Sequence, residues 1–178
     1  MAHRCPPWLC FTFDNCIRRR LHDPGRLFSA YVREGATVLD IGAGKGHFSI
    51  PLARMVGEAG RIIAADIEPK MLEAIERRAE KAGVRARIET FLARPEEPEY
   101  PAADFVLLFW SLHEMSGQAS ILRAVRAALR PEGRVFIAEP RLHVGEKAFD
   151  DLVKRAEAAG FSVEARPPVA LSRAVVFR

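Results

Sequence analysis

Asp40 and Asp66 each close a short apolar run, ATVLD and RIIAAD, and three glycines follow Asp40 within a few residues, at Gly42, Gly44 and Gly46. Glycine at the end of a strand lets backbone come close to a ligand and permits positive φ. A carboxylate beside such a loop is badly placed against a pyrophosphate, because like charges repel at short range. It suits a cationic ligand. The spacing G-x-G-x-G also lacks the second intervening residue of the dinucleotide fingerprint G-x-G-x-x-G. Asp66 can accept hydrogen bonds from both hydroxyls of a ribose, and Ile67 beside it can pack on an adenine face.

A second group of reactive side chains follows the apolar run DFVLLFW. Phe109 and Trp110 end it, and Ser111, His113 and Glu114 come next. His113 can act as a base near neutral pH; the alternative is a histidine that hydrogen-bonds its own loop and fixes the loop's shape. Glu139 ends the next apolar run and is a similar candidate, with Arg141 and His143 behind it. Trp110, Glu114 and Glu139 are candidate contacts to a substrate. No serine triad, metal motif or covalent nucleophile is evident.

The segment HRCPPWLCFTFDNCIRRRLHDP is unusual. Trp8, Phe11 and Phe13 can roof an apolar acceptor or simply pack the segment down. His3, Cys5, Cys10, Cys16 and His22 can supply soft ligands, but their spacings match no strong zinc pattern. No metal is expected, and the cysteines read as small hydrophobes. Arg18, Arg19 and Arg20 form the one undiluted basic run.

The elements that must position these groups alternate between β and α. Strands are expected over 36–41, 61–66, 85–92, 104–110 and 134–139. Helices are expected over 46–57, 69–83, 118–133 and 146–160. Pro51 falls in the first turn of its helix, where a missing N–H costs least, and Met71, Leu72, Ile75 and Ala79 share one face of theirs. DFVLLFW is apolar throughout, as a central strand covered on both faces would be. Two last strands, 161–165 and 172–178, have no helix between them and should be antiparallel. The alternation implies a doubly wound α/β sheet, mainly parallel, with helices on both faces. Ligands of such sheets bind beyond the carboxyl ends of the strands, where both groups of residues fall.

With 178 residues, 49% of them hydrophobic and 28% charged, the chain has the size and composition of a single globular domain over 1–178. Residues 1–25 stand outside the alternation as a lid or substrate segment, and 26–178 form the core fold. No apolar run reaches the length needed to span a bilayer, so no membrane partner is expected. Three cysteines and no signal-peptide pattern argue for the cytoplasm. A net charge of +4 permits nucleic acid as a partner, but the basic residues mostly alternate with acidic ones, as in EAIERRAEKAG.

S-adenosylmethionine carries an ammonium, a sulfonium and no phosphate, and meets the demands of the glycine loop and its acids. VLDIGAGKGHFSIPLA, AADIEPKMLE, ADFVLLFWSLHEM and LRPEGRVFIAEP together resemble the class I S-adenosylmethionine-dependent methyltransferases, over roughly residues 26 to 178. Within them the chain is similar to the small-molecule branch that includes quinone-biosynthesis and arsenite methyltransferases. The resemblance implies a Rossmann-like seven-stranded sheet in the order 3-2-1-4-5-7-6, the last strand antiparallel. It also implies that Gly42, Ala43, Gly44 and Gly46 line the methionine and ribose portion of the cofactor, with Asp40 near its amino group. Asp66 would hold the ribose, Ile67 the adenine, and Phe109 the ligand edge. Many relatives carry an aspartate after the third strand; here Ala93 stands near that position, and its backbone or Glu96 would substitute. The Asn/Asp-Pro-Pro-aromatic motif of base-methylating enzymes is absent. A small-molecule acceptor is therefore expected, with RNA, protein, or cofactor binding without transfer as the alternatives.

Overall fold

The computed structural model describes residues 21–94, 96 and 98–178. Among these, strands β1 (Thr37–Ile41), β2 (Arg61–Asp66), β3 (Ile88–Leu92), β4 (Ala103–Phe109), β5 (Leu129–Pro140), β6 (Val163–Ala165) and β7 (Ser172–Phe177) form one sheet in the order β3-β2-β1-β4-β5-β7-β6. The four inner pairings from β3 to β5 are parallel, and β7 runs antiparallel to both β5 and β6. Helices α1 (Pro24–Phe28), α2 (Ser49–Met55) and α3 (Pro69–Lys81) cover one face, where Phe28, Leu52, Ala53, Leu72 and Ile75 meet Val38, Ile62 and Phe105. On the other face α4 (Gln118–Ala128) and α5 (Glu146–Ala158) bring Leu122, Val125, Leu152 and Val153 onto Leu39, Ile63, Val106 and Ile137. β1 is buried along its whole length, as a central parallel strand sandwiched between helices must be.

Three elements differ from their sequence expectations for local reasons. The helix expected over 118–133 stops at Ala128, and β5 begins at Leu129. Pro131 disfavours the helical region for the residue before it. Glu132 adopts φ +63°, and the pairing with β4 jumps from Leu129 to Arg134. α2 starts at Ser49 rather than at Gly46, because Gly42, Gly44 and Gly46 all have positive φ and the chain curls before it can coil. β3 starts at Ile88, after a 3-10 turn over Arg85–Arg87 that Arg85 pins by donating to Ile88 O and to Glu76.

Packing begins upstream of residue 26. His22 is fully buried, its Nε2 hydrogen-bonds to Ala170 O at 2.8 Å, and its ring meets those of Phe109 and Trp110 edge-on. Asp23 then caps α1 by accepting from Arg26 N. Trp8, Phe11, Phe13, Cys5, Cys10, Cys16 and Arg18–Arg20 lie outside the described residues. Among those described, no helix is long and apolar enough to cross a membrane.

Candidate active site

The parallel strands end together, and the turn after β1 is fastened to β2. Gly42 N and Ala43 N both donate to Ala65 O, and Gly44 N donates to Asp66 Oδ2 at 2.8 Å. Glu68 N donates to the other carboxylate oxygen at 3.0 Å. Asp66 thus clamps the glycine loop to its own turn, with the Ile67 backbone N–H as a further donor, and its two oxygens together keep acceptor capacity beyond these donors. Burial raises its carboxyl pKa above the ordinary value, and the backbone donors only partly offset that.

The three glycines are required for different reasons. A Cβ on Gly42 would lie 2.5 Å from Ser111 Cβ, and one on Gly46 would lie 3.2 Å from Ile75 Cγ1. A Cβ on Gly44 would meet nothing within 4 Å, yet φ there is +56°. Two of the glycines therefore serve the chain's own packing, and Gly44 is where the loop stands open. Asp40 is placed beneath the loop and not at its mouth: it is buried and accepts from Ser49 Oγ at 2.6 Å.

Beyond β2, Ile67 is 45% exposed, a large value for isoleucine at the end of a buried strand. Leu92, which pairs in register with Asp66, is 52% exposed. Together they offer apolar surface next to the clamped carboxylate, which suits a planar base. Sequence reasoning missed Leu92; its signal was an apolar residue closing a strand just before a proline-rich loop. Ala93 contributes backbone, donating its N–H to Asp66 O at 3.0 Å. Phe109 is buried, with its ring against Phe48 at a centroid distance of 4.5 Å, so it supports the loop from below.

Trp110 turns the chain out of β4 with φ +58°, a left-handed conformation that a bulky residue adopts only when its surroundings hold it there. Its N–H donates to Ala138 O, and its indole Nε1 donates to Ser172 Oγ at 2.8 Å. The turn delivers Ser111 onto β1, where Oγ donates to Ile41 O, and His113 onto β5. Glu139 is fully buried and holds that loop twice. Its Oε1 accepts from His113 N at 3.0 Å, and its Oε2 lies 2.5 Å from His113 Nδ1. A carboxylate only accepts, so Nδ1 carries the proton and Nε2 is the free lone pair of the neutral ring. Burial works against charging the ring, but the Glu139 hydrogen bond and the charges of Glu139 and Glu114 outweigh it and raise the His113 pKa above 6.5.

Glu114 stands on the open side, with Oε1 3.8 Å from His113 Nε2. Its carboxyl is raised first by burial; His113 and His143 pull it down, and Glu139 and Asp66 push it up. The acid ending β2 and the loop after β4 therefore share one electrostatic neighbourhood. A glycine loop with an open point, a clamped carboxylate, exposed apolar side chains and a second carboxylate within electrostatic reach of the first fit a ligand with a ribose, a base and a positive centre. They do not fit a pyrophosphate.

Residues 32–164 match the family described as a methyltransferase domain. The ubiquinone/menaquinone biosynthesis C-methyltransferase UbiE of Enterobacter sp. (strain 638) is 32% identical over 124 residues, which are 67% of this chain and 49% of that protein. The chain belongs to the class I S-adenosylmethionine-dependent methyltransferases. It spans about half the length of the curated relatives it matches. Among solved structures, a SAM-dependent methyltransferase from Aquifex aeolicus superposes with a TM-score of 0.86 at 23% identity, covering 98% of each chain. The [4+2]-cyclase SpnF superposes with a TM-score of 0.72 at 22% identity, covering 86% of this chain and 61% of its own. A cyclase on the same fold shows why a methyltransferase's reaction has to be read from its site and not from its sheet.

Glu114 also allows a test of this electrostatic neighbourhood. A carboxyl whose pKa is raised on folding favours the fold while protonated, and that contribution is lost as pH rises through the folded value. Glu114→Gln is therefore expected to raise Tm at about pH 8 and to leave it nearly unchanged at about pH 4. Thermal denaturation of both proteins across that range checks it; a Tm that falls at alkaline pH would show that Glu114 is net stabilising as an anion.

Proposed function

We propose that this chain transfers a methyl group from S-adenosylmethionine to a small-molecule acceptor that loses a proton as it reacts. The observation that carries the reading is the His113–Glu139 pair, a base with its proton-bearing nitrogen fixed and its lone pair turned to the side of Glu114. When bound, S-adenosylmethionine supplies an electrophilic methyl group on an excellent leaving group.

What the residues do is bind, orient and hold one proton. Asp66 would accept from the ribose hydroxyls with the acceptor capacity that its backbone donors leave unused. Ile67 and Leu92 would cover the base, and Gly44 would let backbone approach the amino-acid portion. Displacement of this kind gains much of its acceleration from alignment of donor and acceptor, so a loop stapled to β1 by Ser111 and to β5 by Glu139 suits it. His113 Nε2 would take the acceptor's proton, and the adjacent Glu139 carboxylate would stabilise the imidazolium that results. Trp110, Glu114 and Glu139 line or support the acceptor side.

Incubation with radiolabelled S-adenosylmethionine and a fractionated metabolite extract tests the reading. A labelled small molecule is the expected product; labelling of RNA or protein alone would move the acceptor to another class. Cofactor affinity gives a second test. Asp66→Asn preserves shape and removes charge, and is expected to weaken S-adenosylhomocysteine binding by about 1.5–3 kcal/mol for each charged hydrogen bond lost. Calorimetry would show this, and unchanged affinity would remove Asp66 from the ribose site.

A further inference from the structure

A cavity of about 400 Å³ lies at the β7 edge of the sheet, and its chemistry is not used by the steps above. Its walls include Arg141, Arg166 and Arg173, together with Glu146, Phe149 and Asp150 from the N-terminal part of α5. β6 pairs only with the far end of β7, at Val176 and Phe177, and the near end of β7 meets only an isolated bridge between Ser172 and Val169.

Two of the arginines are fixed but not neutralised. Arg141 donates its Nε to Ser172 O at 2.9 Å, and its own backbone N–H donates to Leu171 O. Arg173 donates from one terminal nitrogen to Val144 O at 2.9 Å. Main-chain carbonyls thus aim both guanidinium groups, and neither forms an ion pair among the described residues. Arg173 stands directly opposite Glu139 across β5 and β7, where cross-strand partners share a face of the sheet. It forms no ion pair with Glu139, whose two carboxylate oxygens are held against the backbone N–H and the ring of His113. Arg166 is different: it lies 3.3 Å from Asp150 and cancels it. Arg141 and Arg173 then face Glu146 alone, which leaves the lining with an excess of one positive charge. Phe149, and Pro167 on the far wall, add apolar surface.

The cavity adjoins the acceptor side. Arg173 is one strand spacing, about 4.8 Å, from the strand that carries Glu139. The loop that begins at Arg141 continues to His143, whose ring lies 5.6 Å from that of His113. We infer that this cavity binds an anionic substituent, a carboxylate or a phosphate, on an acceptor with an apolar body whose reacting atom reaches His113. Arg141 and Arg173 are its specificity-determining residues. The inference rests on the methyltransferase reading for the word acceptor, but the binding site can be tested without it.

The probes are benzoate and phenyl phosphate, with benzamide as the neutral isostere of benzoate, titrated into the protein while arginine side-chain N–H resonances are followed by NMR. Saturable binding of one or both anions is expected, with shifts at Arg141 and Arg173 and no saturation by benzamide; which anion binds more tightly identifies the substituent. Arg141→Gln or Arg173→Gln is expected to weaken anion binding about tenfold, as loss of a charge-assisted hydrogen bond would. Glu146→Gln removes the opposing acid from an exposed position and is expected to tighten it about two- to fivefold. That gain stays readable even if an arginine variant folds poorly. Equal binding of benzamide and benzoate would overturn the inference, as would wild-type anion affinity in both arginine variants or no gain in the Glu146 variant. S-adenosylhomocysteine is titrated into the same samples. If it fails to bind while the anions do, the methyltransferase reading falls and the cavity assignment stands.

Discussion

Replacing His113 by alanine is expected to cut turnover about 10²–10⁴-fold, the usual contribution of a positioned general base. Affinity for S-adenosylhomocysteine should change little, because the glycine loop and Asp66 are held by β1 and β2 and not by His113. The pH dependence separates a base from a merely structural histidine. The His113 pKa lies above 6.5 despite burial, because Glu139 and Glu114 favour the charged ring. Only the neutral ring can take a proton, so turnover in the wild type should fall as pH falls through that raised value. The alanine variant should lose this limb. Stability runs the other way. A histidine raised on folding contributes stability that is complete below its unfolded pKa and is lost as pH rises through the folded one. The variant's deficit in Tm should therefore be largest in mild acid and shrink in mild base. A variant with wild-type turnover and the same stability deficit would make His113 a residue that only fixes its loop.

Gly42→Ala is expected to cost about 2–5 kcal/mol, from a left-handed backbone and a crowded contact. Gly42 has φ +73°, and the new methyl would stand 2.5 Å from Ser111 Cβ, an atom tied directly to backbone. It cannot yield as the tip of a long side chain would. The junction it would force apart is the one where the glycine loop meets the loop that carries His113, since Ser111 Oγ donates to Ile41 O there. Cofactor affinity and turnover should fall together. Ser111→Gly removes the opposing Cβ, so the double variant should recover the steric share of the loss, about 1–3 kcal/mol, while the φ share remains. Denaturant melts of the four proteins in a double-mutant cycle give the coupling directly. Additive losses would mean that the two loops are not in contact at this point.

The amino-acid sequence by itself determined the sheet and the edge of it at which the candidate site residues gather. Parallel central strands are covered on both faces, so ATVLDI and DFVLLFW read as continuous apolar runs, and a missing crossover helix marked the antiparallel end. The strand ends then had to collect Asp66, the glycines, His113 and Glu139 along one edge, because βα units all turn the same way. Local signals were weaker where tertiary contacts override them: the proline after Arg130 ended α4 early, and the glycines delayed α2 to Ser49.

Tertiary structure alone decided what those residues do to one another. Nothing in the spacing between positions 113 and 139 says that one carboxylate will hold both the backbone and the ring of the histidine, since that pairing requires β4 and β5 to lie side by side. Asp40 and Asp66 look alike as strand-end acids, yet one is turned under α2 to Ser49 and the other clamps Gly44. The direction of a side chain at a strand end follows from the pleat and from the register of its neighbours, which are set by the whole sheet. For the same reason Arg141 and Arg173, distant in sequence and unremarked as a pair, share a cavity only once β7 has folded back antiparallel against β5.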